Sequence, residues 1–217
     1  MQNVLIQKIQ NSEIGEVAGI LTDAFETNPA YSIIFKKKKQ QRDGLLWLFN
    51  TSLILNNHKQ VLTHVIKDSD TGKIIGTFTI VPPQGVKAGI STYLKIGIPY
   101  FIAKFGMKSL IRMIGLDNCN KLTLTKSIKS TEYYYLSMVV VREEYRCRGI
   151  GYYAIKQAIE DLVSSTPGCN LMGLTTQLPE NVIFYSRLGF CQLDEGYIDF
   201  KGDRYYNYNL KLNVRPE

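Results

Sequence analysis

Apolar and polar positions change their spacing several times along the chain, and each change marks an element. Val4 to Ile9 alternates over a short span, which predicts a first strand. From Ile14 the apolar residues Ile14, Val17, Ala18, Leu21 and Phe25 fall at helical spacing, with Asn11 or Ser12 placed to cap the helix. Asn28-Pro29 ends it, because a proline disfavours helical geometry in the residue before it. Gln40 to Asn57 predicts a second helix, with Leu45, Leu46, Phe49, Leu53 and Ile54 on one side. Gln60 to Lys67 alternates again, Thr71-Gly72 turns the chain, and Lys73 to Val81 returns, so the pair reads as a hairpin closed by Pro82-Pro83.

Residues 84–131 are the least regular part and read as a helical insertion. Pro99 suits the first turn of a helix carrying Ile98, Phe101, Ile102 and Phe105, and Lys104, Lys108 and Arg112 recur every four residues as a basic stripe opposite an apolar one. Such a segment packs on its domain with charges in water, lies on a membrane surface, or roofs a substrate cleft.

Tyr133 to Ser165 then organises the chain. Leu136 to Val141 is an apolar, β-branched run of the kind buried strands carry. A charged turn, Arg142 to Arg148, leads into Gly149-Ile150-Gly151 and a helix whose Ile150, Ala154, Ala158 and Leu162, with Ile155 and Ile159 beside them, form one apolar stripe. The first amides of a helix lack intrahelical partners and favour an anion, and glycines let a ligand approach the backbone. Beyond Pro167-Gly168, Asn170 to Thr176 reads as a fifth strand and Pro179 to Leu188 as a helix stopped by Gly189. Phe190 to Leu193 and Tyr205 to Leu210 read as two closing strands with a turn at Lys201-Gly202-Asp203.

Composition narrows this only a little. The 217 residues, 45% hydrophobic and 21% charged, suit one globular domain over residues 1–217. No apolar run approaches the roughly 18 residues of a membrane-spanning helix, and the N-terminus lacks a secretory pattern. Cys119, Cys147, Cys169 and Cys191 are scattered and only two histidines accompany them, so neither a metal site nor a disulfide framework is expected, and the cytoplasm is the simplest setting. The net charge of +7 suits an enzyme that attracts a polyanion. Nucleic-acid binding draws little support, because the run Lys36 to Lys39 and the basic stripe are not interleaved with aromatic residues. Neither a nucleic-acid nor a membrane partner is expected.

The glycine turn excludes two phosphate motifs. Ala154 stands where a dinucleotide fingerprint needs its third glycine, and no Gly-Lys-Ser/Thr of a P-loop is present. Arg146-Cys147-Arg148-Gly149-Ile150-Gly151 after a strand is similar to the acetyl-CoA pyrophosphate motif, Arg-x-x-Gly-x-Gly, of the GNAT superfamily of N-acetyltransferases. Pro179 to Phe190 resembles that family's second signature, in which an Asn and an aromatic-Tyr pair on a helix precede Gly-Phe. Asn181 and Tyr185, four apart, share one helical face. This spacing, with Ala24-Phe25-Glu26-Thr27-Asn28-Pro29 and Val81-Pro82-Pro83, looks closest to the puromycin N-acetyltransferase-like branch.

The resemblance implies an α/β (α+β) fold: a mixed, mostly antiparallel sheet of about seven strands, helices on both faces, and the insertion before the fourth strand. It implies an acetyl-CoA-dependent N-acetyltransferase that moves an acetyl group to a primary amine of a small molecule by direct transfer in a ternary complex. A protein or peptide acceptor and a non-catalytic acyl-CoA-binding module are the alternatives. Acetyl-CoA is the implied co-substrate, with no metal, in a monomer or homodimer. The implied roles are general acid for Tyr185; carbonyl and pantetheine contacts for Val139, Val140 and Val141; a pantetheine hydrogen bond for Asn181; and pyrophosphate binding by Arg146, Cys147, Arg148, Gly149, Ile150, Gly151 and Tyr152, with Cys147 acting through its backbone and not as a nucleophile. The general base is not legible. Tyr135 occupies the place where some relatives have Glu, Glu132 has the opposite strand parity, and His58 and His64 qualify by chemistry alone.

Overall fold

The structure is a computed structural model, and it describes residues 3–35, 37–87, 89, 92–93 and 96–215. Seven strands form one sheet in the order β1-β2-β3-β4-β5-β7-β6. They are β1 (Val4–Lys8), β2 (Thr63–Asp68), β3 (Ile74–Val81), β4 (Tyr134–Val141), β5 (Leu171–Thr176), β6 (Cys191–Phe200) and β7 (Asp203–Asn213). Every neighbouring pair is antiparallel except β4 and β5. The helices are α1 (Ile14–Phe25), α2 (Pro29–Ser32), α3 (Lys38–Asn56), α4 (Ile98–Phe105), α5 (Met107–Ile128), α6 (Ile150–Ser165) and α7 (Pro179–Arg187). This is the mixed, mostly antiparallel α/β arrangement that the motifs implied.

Two apolar cores lie on opposite faces of the sheet. Val17, Leu21, Leu45, Phe49, Leu53, Phe101, Phe105 and Leu116 pack α1, α3, α4 and α5 on one face. Ile150, Ala154, Ile155, Ala158, Ile159 and Tyr185 pack α6 and α7 on the other. The apolar stripe expected after the glycine turn therefore faces the sheet.

Several sequence expectations are corrected. The first helix is not capped by Asn11 or Ser12. A 3-10 turn over Asn11–Glu13 precedes it, and the Glu13 carboxylate accepts a hydrogen bond from the Gln10 amide at 2.8 Å. Leu46 and Ile54 do not join Leu45, Phe49 and Leu53 in the core, because they fall at the margin of that face and stay exposed. Within the insertion α4 and α5 are separate helices and not one continuous stripe, since Gly106 breaks the chain at φ 85°. Its cations are not a free row. Lys104 pairs with Asp43 at 2.9 Å, and the half-buried Arg112 guanidinium binds Asp203 at 2.5 Å and the Ile33 carbonyl at 2.9 Å. The last two strands are longer than read, because the polar face of Cys191–Phe200 hides its pairing with β7.

The central irregularity is in β4. Between Thr77↔Val140 and Thr79↔Ser137 the register slips by one residue, so Met138 and Val139 oppose Phe78 two against one. Met138 adopts φ 52°, a conformation that non-glycine residues rarely hold. The bulge exchanges the two faces of the strand. Leu136 packs with α6 and α7, whereas Met138 and Val140, in step with it by number, pack with the helices of the other core. On its other edge β4 pairs with β5 only through Tyr134↔Met172 and Tyr135↔Gly173, so the two strands part after Tyr135.

Candidate functional site

The parting of β4 from β5 leaves one edge of Leu136–Val141 outside any ladder, and the bulge leaves an extra residue unpaired on the other edge. Unpaired backbone groups in such a wedge need a partner, and an extended ligand with amide or carbonyl groups supplies one. Val139, Val140 and Val141 all lie along this segment. The side chain of Val140 turns to the α1 side, while Val139 and Val141 turn to the α6 side.

The turn after β4 closes against the same wedge. Cys147 is held at φ 59° and Gly149 at φ 73° as the residue before α6. No side chain caps this helix and no acid stands in its first turn, so the amides of Gly149, Ile150, Gly151 and Tyr152 form an anion-binding end. Arg146 Nε donates to the Val141 carbonyl at 3.0 Å, and Arg148 Nη2 donates to the Glu144 carbonyl at 2.7 Å, so both guanidinium groups are held beside the turn. A Cβ on Gly151 would stand 3.3 Å from Val141 Cγ2 and 3.4 Å from Phe184 Cζ. The end of β4, the start of α6 and the middle of α7 therefore meet there, and the residues predicted from two separate motifs come together.

Helix α7 brings Phe184 to this junction and carries Tyr185 next to it. Pro179 stands in its first turn, and its end is a Schellman motif. Gly189, at φ 93°, donates to the Ser186 carbonyl, and Phe190 donates to the Tyr185 carbonyl. The Tyr185 ring is buried against Phe184 and Phe190 at centroid distances of 5.1 and 5.7 Å. Its hydroxyl hydrogen-bonds no other described residue. Burial, then the neighbouring Tyr135, raises its pKa, so the phenol stays protonated far above neutrality. Asn181 is half-buried, and its Nδ2 donates to Thr176 Oγ1 at 2.9 Å across the turn from β5 into α7.

On the opposite side of the wedge lies a cluster that sequence reasoning did not assemble. Tyr135, pushed up to about 12 by burial, bonds Thr175 Oγ1 at 3.3 Å. Burial, then Tyr135 and Asp117, raises the pKa of Tyr31, whose ring packs on Phe25 and Phe49. Tyr205 donates to Asn120 Oδ1 at 2.6 Å. A separate chain of carboxamides runs from Asn28 to Asp194. Asn28 donates to Gln177 at 3.2 Å, Gln177 to Asn207 at 2.9 Å, Asn207 to Asn209 at 3.0 Å, and Asn209 to Asp194 at 2.7 Å. Asn28, Asn207 and Asn209 are buried, so these bonds replace water for groups that would otherwise be costly to bury. The sequence signal was the alternation Tyr205, Asn207, Asn209, which puts polar groups on the inward face of β7.

The alternative bases are not brought to Tyr185. Glu132 is exposed ahead of β4, and His58 is exposed after α3. His64 lies on β2, stacked on Phe78 at 5.0 Å, and burial lowers its pKa. Among the described residues no His, Cys, Asp and Glu cluster could hold a metal, and no helix is long and apolar enough to cross a membrane.

A parallel strand pair that parts after two residues, a bulge in one of those strands and an uncapped glycine turn together make an open edge next to an anion-binding helix end. The Acetyltransferase (GNAT) family model matches residues 26–190, and the chain belongs to this family of acetyltransferases. Enzymes of the family use acetyl-CoA as co-substrate. No curated protein sequence matches the chain. Solved structures with the same fold include a histone acetyltransferase-related acetyltransferase from Corynebacterium glutamicum, 18% identical, with a TM-score of 0.63 over 99% of this chain and 98% of that one. A mosquito arylalkylamine N-acetyltransferase, like 5b, is 14% identical, with a TM-score of 0.63 over 97% and 99%. A Drosophila melanogaster polyamine N-acetyltransferase that forms N-acetylagmatine is 12% identical, with a TM-score of 0.59 over 97% and 99%.

Proposed function

We propose that this chain transfers an acetyl group from acetyl-CoA to a primary amine of a small molecule, by direct transfer in a ternary complex. The observation that carries the reading is the position of Tyr185. Its buried, protonated phenol, free of hydrogen bonds to described residues, shares its electrostatic surroundings with Tyr135, the residue after which β4 leaves β5, and the ring of the adjacent Phe184 packs at Gly151. In this reading the amides of Gly149, Ile150, Gly151 and Tyr152, with Arg146, Cys147 and Arg148 around them, hold the pyrophosphate. The edge of Val139, Val140 and Val141 that β5 leaves open holds the pantetheine arm and the thioester carbonyl. Asn181 exchanges its bond to Thr176 for one to the arm.

The residues then divide the work of transfer. Amide donors fixed on β4 stabilise the charge that develops on the carbonyl oxygen without reorganising. Tyr185 delivers its proton to the departing thiolate sulfur, which a phenol of raised pKa does only at hydrogen-bond range. The amine approaches from the side of Tyr31, Tyr135 and Tyr205. The carboxylate nearest these tyrosines, Asp117, is paired with Lys121 at 2.7 Å, and in this reading the amine loses its proton to solvent before attack. The small-amine acceptor draws support from structural neighbours named for arylalkylamines and for N-acetylagmatine formation. The four-residue Asn181–Tyr185 spacing favours the puromycin-like branch. Residues 1–217 are read as one domain, whose insertion walls the acceptor side, and the cytoplasm is the compartment this chemistry suits.

The test is a panel of small primary amines assayed for release of free CoA thiol. Turnover with at least one amine, and initial-rate lines that intersect when both substrates are varied, are expected. Parallel lines would replace direct transfer by a covalent acetyl-enzyme.

A further inference from the structure

The insertion turns an apolar stripe outward. On α5, Met107, Ile111, Ile114 and Leu122 lie on one helical face and are 50, 47, 52 and 61% exposed. Tyr100, 57% exposed, precedes them on α4. The expected arrangement, with apolar residues inward and a basic row outward, is inverted at Arg112, which is turned in to Asp203. Exposed Lys108, Lys121 and Lys126 flank the stripe. The one acid of α5, Asp117, is already paired with Lys121 at 2.7 Å.

A second basic group stands at the head of the stripe. Gln40 donates to the Lys104 carbonyl at 3.2 Å and Asp43 pairs with Lys104, so the start of α3 is fastened to the end of α4, one residue before α5 begins. That start carries the exposed Lys37, Lys38 and Lys39. Three lysines at a helix N-terminus run against the helix dipole. No acid in the first turn of α3 offsets them. A local rule broken on the surface, next to an unpartnered apolar stripe, points to an anionic partner.

We infer that α4, α5 and the start of α3 form a face that docks on an anionic lipid surface, with Met107, Ile111, Ile114 and Leu122 entering the headgroup boundary and the lysines meeting lipid phosphates. Aliphatic side chains flanked by lysines suit an interfacial helix, and the helix lies on the bilayer without crossing it. A second copy of the chain fits less well. Pairing the stripe with itself in parallel sets Lys108 against Lys108, and pairing it antiparallel about Ile114 sets Lys108 against Asn120, next to Lys121, so like charges crowd in either case.

The experiment is co-sedimentation of the full chain with vesicles of phosphatidylcholine alone and of phosphatidylcholine mixed with phosphatidylglycerol. Binding to the mixed vesicles that weakens with salt, and little binding to the neutral ones, is expected. An Ile111→Gln/Ile114→Gln variant loses roughly tenfold or more in partitioning, with circular dichroism and melting temperature unchanged. A Lys37→Glu/Lys38→Glu/Lys39→Glu variant, which leaves the stripe intact, loses a comparable factor. Failure to sediment with anionic vesicles, or unchanged binding in both variants, overturns the inference. So does a dimer in light scattering that the isoleucine variant abolishes, because the second copy is then the occupant.

Discussion

Tyr135 and Tyr185 stand on opposite sides of the place where β4 leaves β5, near enough that a charge on Tyr135 raises the pKa of Tyr185. One phenol comes from the last paired residue of the strand and the other from the middle of α7. The strand that ends the parallel pairing and the helix that carries the proposed acid thus share one electrostatic environment.

Replacing Tyr185 by Phe keeps the ring packing on Phe184 and Phe190 and removes only the hydroxyl. The variant is expected to lose about 100-fold or more in kcat, with little change in the KM for acetyl-CoA. Steady-state kinetics on a proven acceptor checks this, and an unchanged kcat would remove the general-acid role.

The raised phenol pKa values set an alkaline limit. A group whose folded pKa exceeds its unfolded value stabilises the fold fully below the unfolded value and loses that contribution as pH rises through the folded one. For Tyr31, Tyr135, Tyr185 and Tyr205 the loss begins near the ordinary tyrosine value of about 10. For Tyr135 it is complete above about 12. Melting temperature should therefore hold from neutrality to the ordinary tyrosine range and then fall. Phenolate absorbance should show part of the 14 tyrosines titrating only as the protein unfolds. For the same reason a descending limb in kcat below that range does not belong to Tyr185.

Gly76 on β3 pairs with Val141, just past the bulge. A Cβ there would stand 2.7 Å from the Val140 carbonyl oxygen, a backbone atom that cannot yield without moving β4. Gly76→Ala is expected to destabilise the protein by about 1–3 kcal/mol. It should also weaken acetyl-CoA binding, because the displaced segment is the one proposed to hold the thioester. Denaturant unfolding and calorimetry read the two effects separately.

Arg112→Ala removes an ion pair whose side chains are 15 and 21% exposed, together with the hydrogen bond to the Ile33 carbonyl. A loss of about 1–3 kcal/mol is expected, since largely buried polar groups lose a charged partner. A chemical denaturation midpoint shifted to lower denaturant with an unchanged slope would show it.

Much of the fold was legible because its signals are local. Gly189 ends α7 as its position predicts, and Thr71-Gly72 turns β2 into β3. The glycine turn at Arg146 to Gly151 lies between β4 and α6 as read. The bulge at Met138 was not legible, because a two-against-one pairing depends on β3, about sixty residues earlier, and no glycine marks the positive φ. The same gap hid the face exchange between Leu136 and Val140, and with it the wedge. The carboxamide chain escaped for a related reason: Asn28, Gln177 and the β7 pair Asn207 and Asn209 come from three separate segments, and only the fold brings them together. On α5 the periodicity located the helix correctly but not its rotation, which the pairing of Arg112 with Asp203 sets.

The central claim is that the turn from β4 into α6, with the open edge of β4, holds acetyl-CoA. Titration calorimetry with acetyl-CoA, repeated with desulfo-CoA, tests it most directly. The account predicts saturable binding of acetyl-CoA at one site per chain. It also predicts retained but weaker binding of desulfo-CoA, which keeps the pyrophosphate and lacks the sulfur and the acetyl group. No heat and no thermal shift with either ligand at millimolar concentration would contradict it.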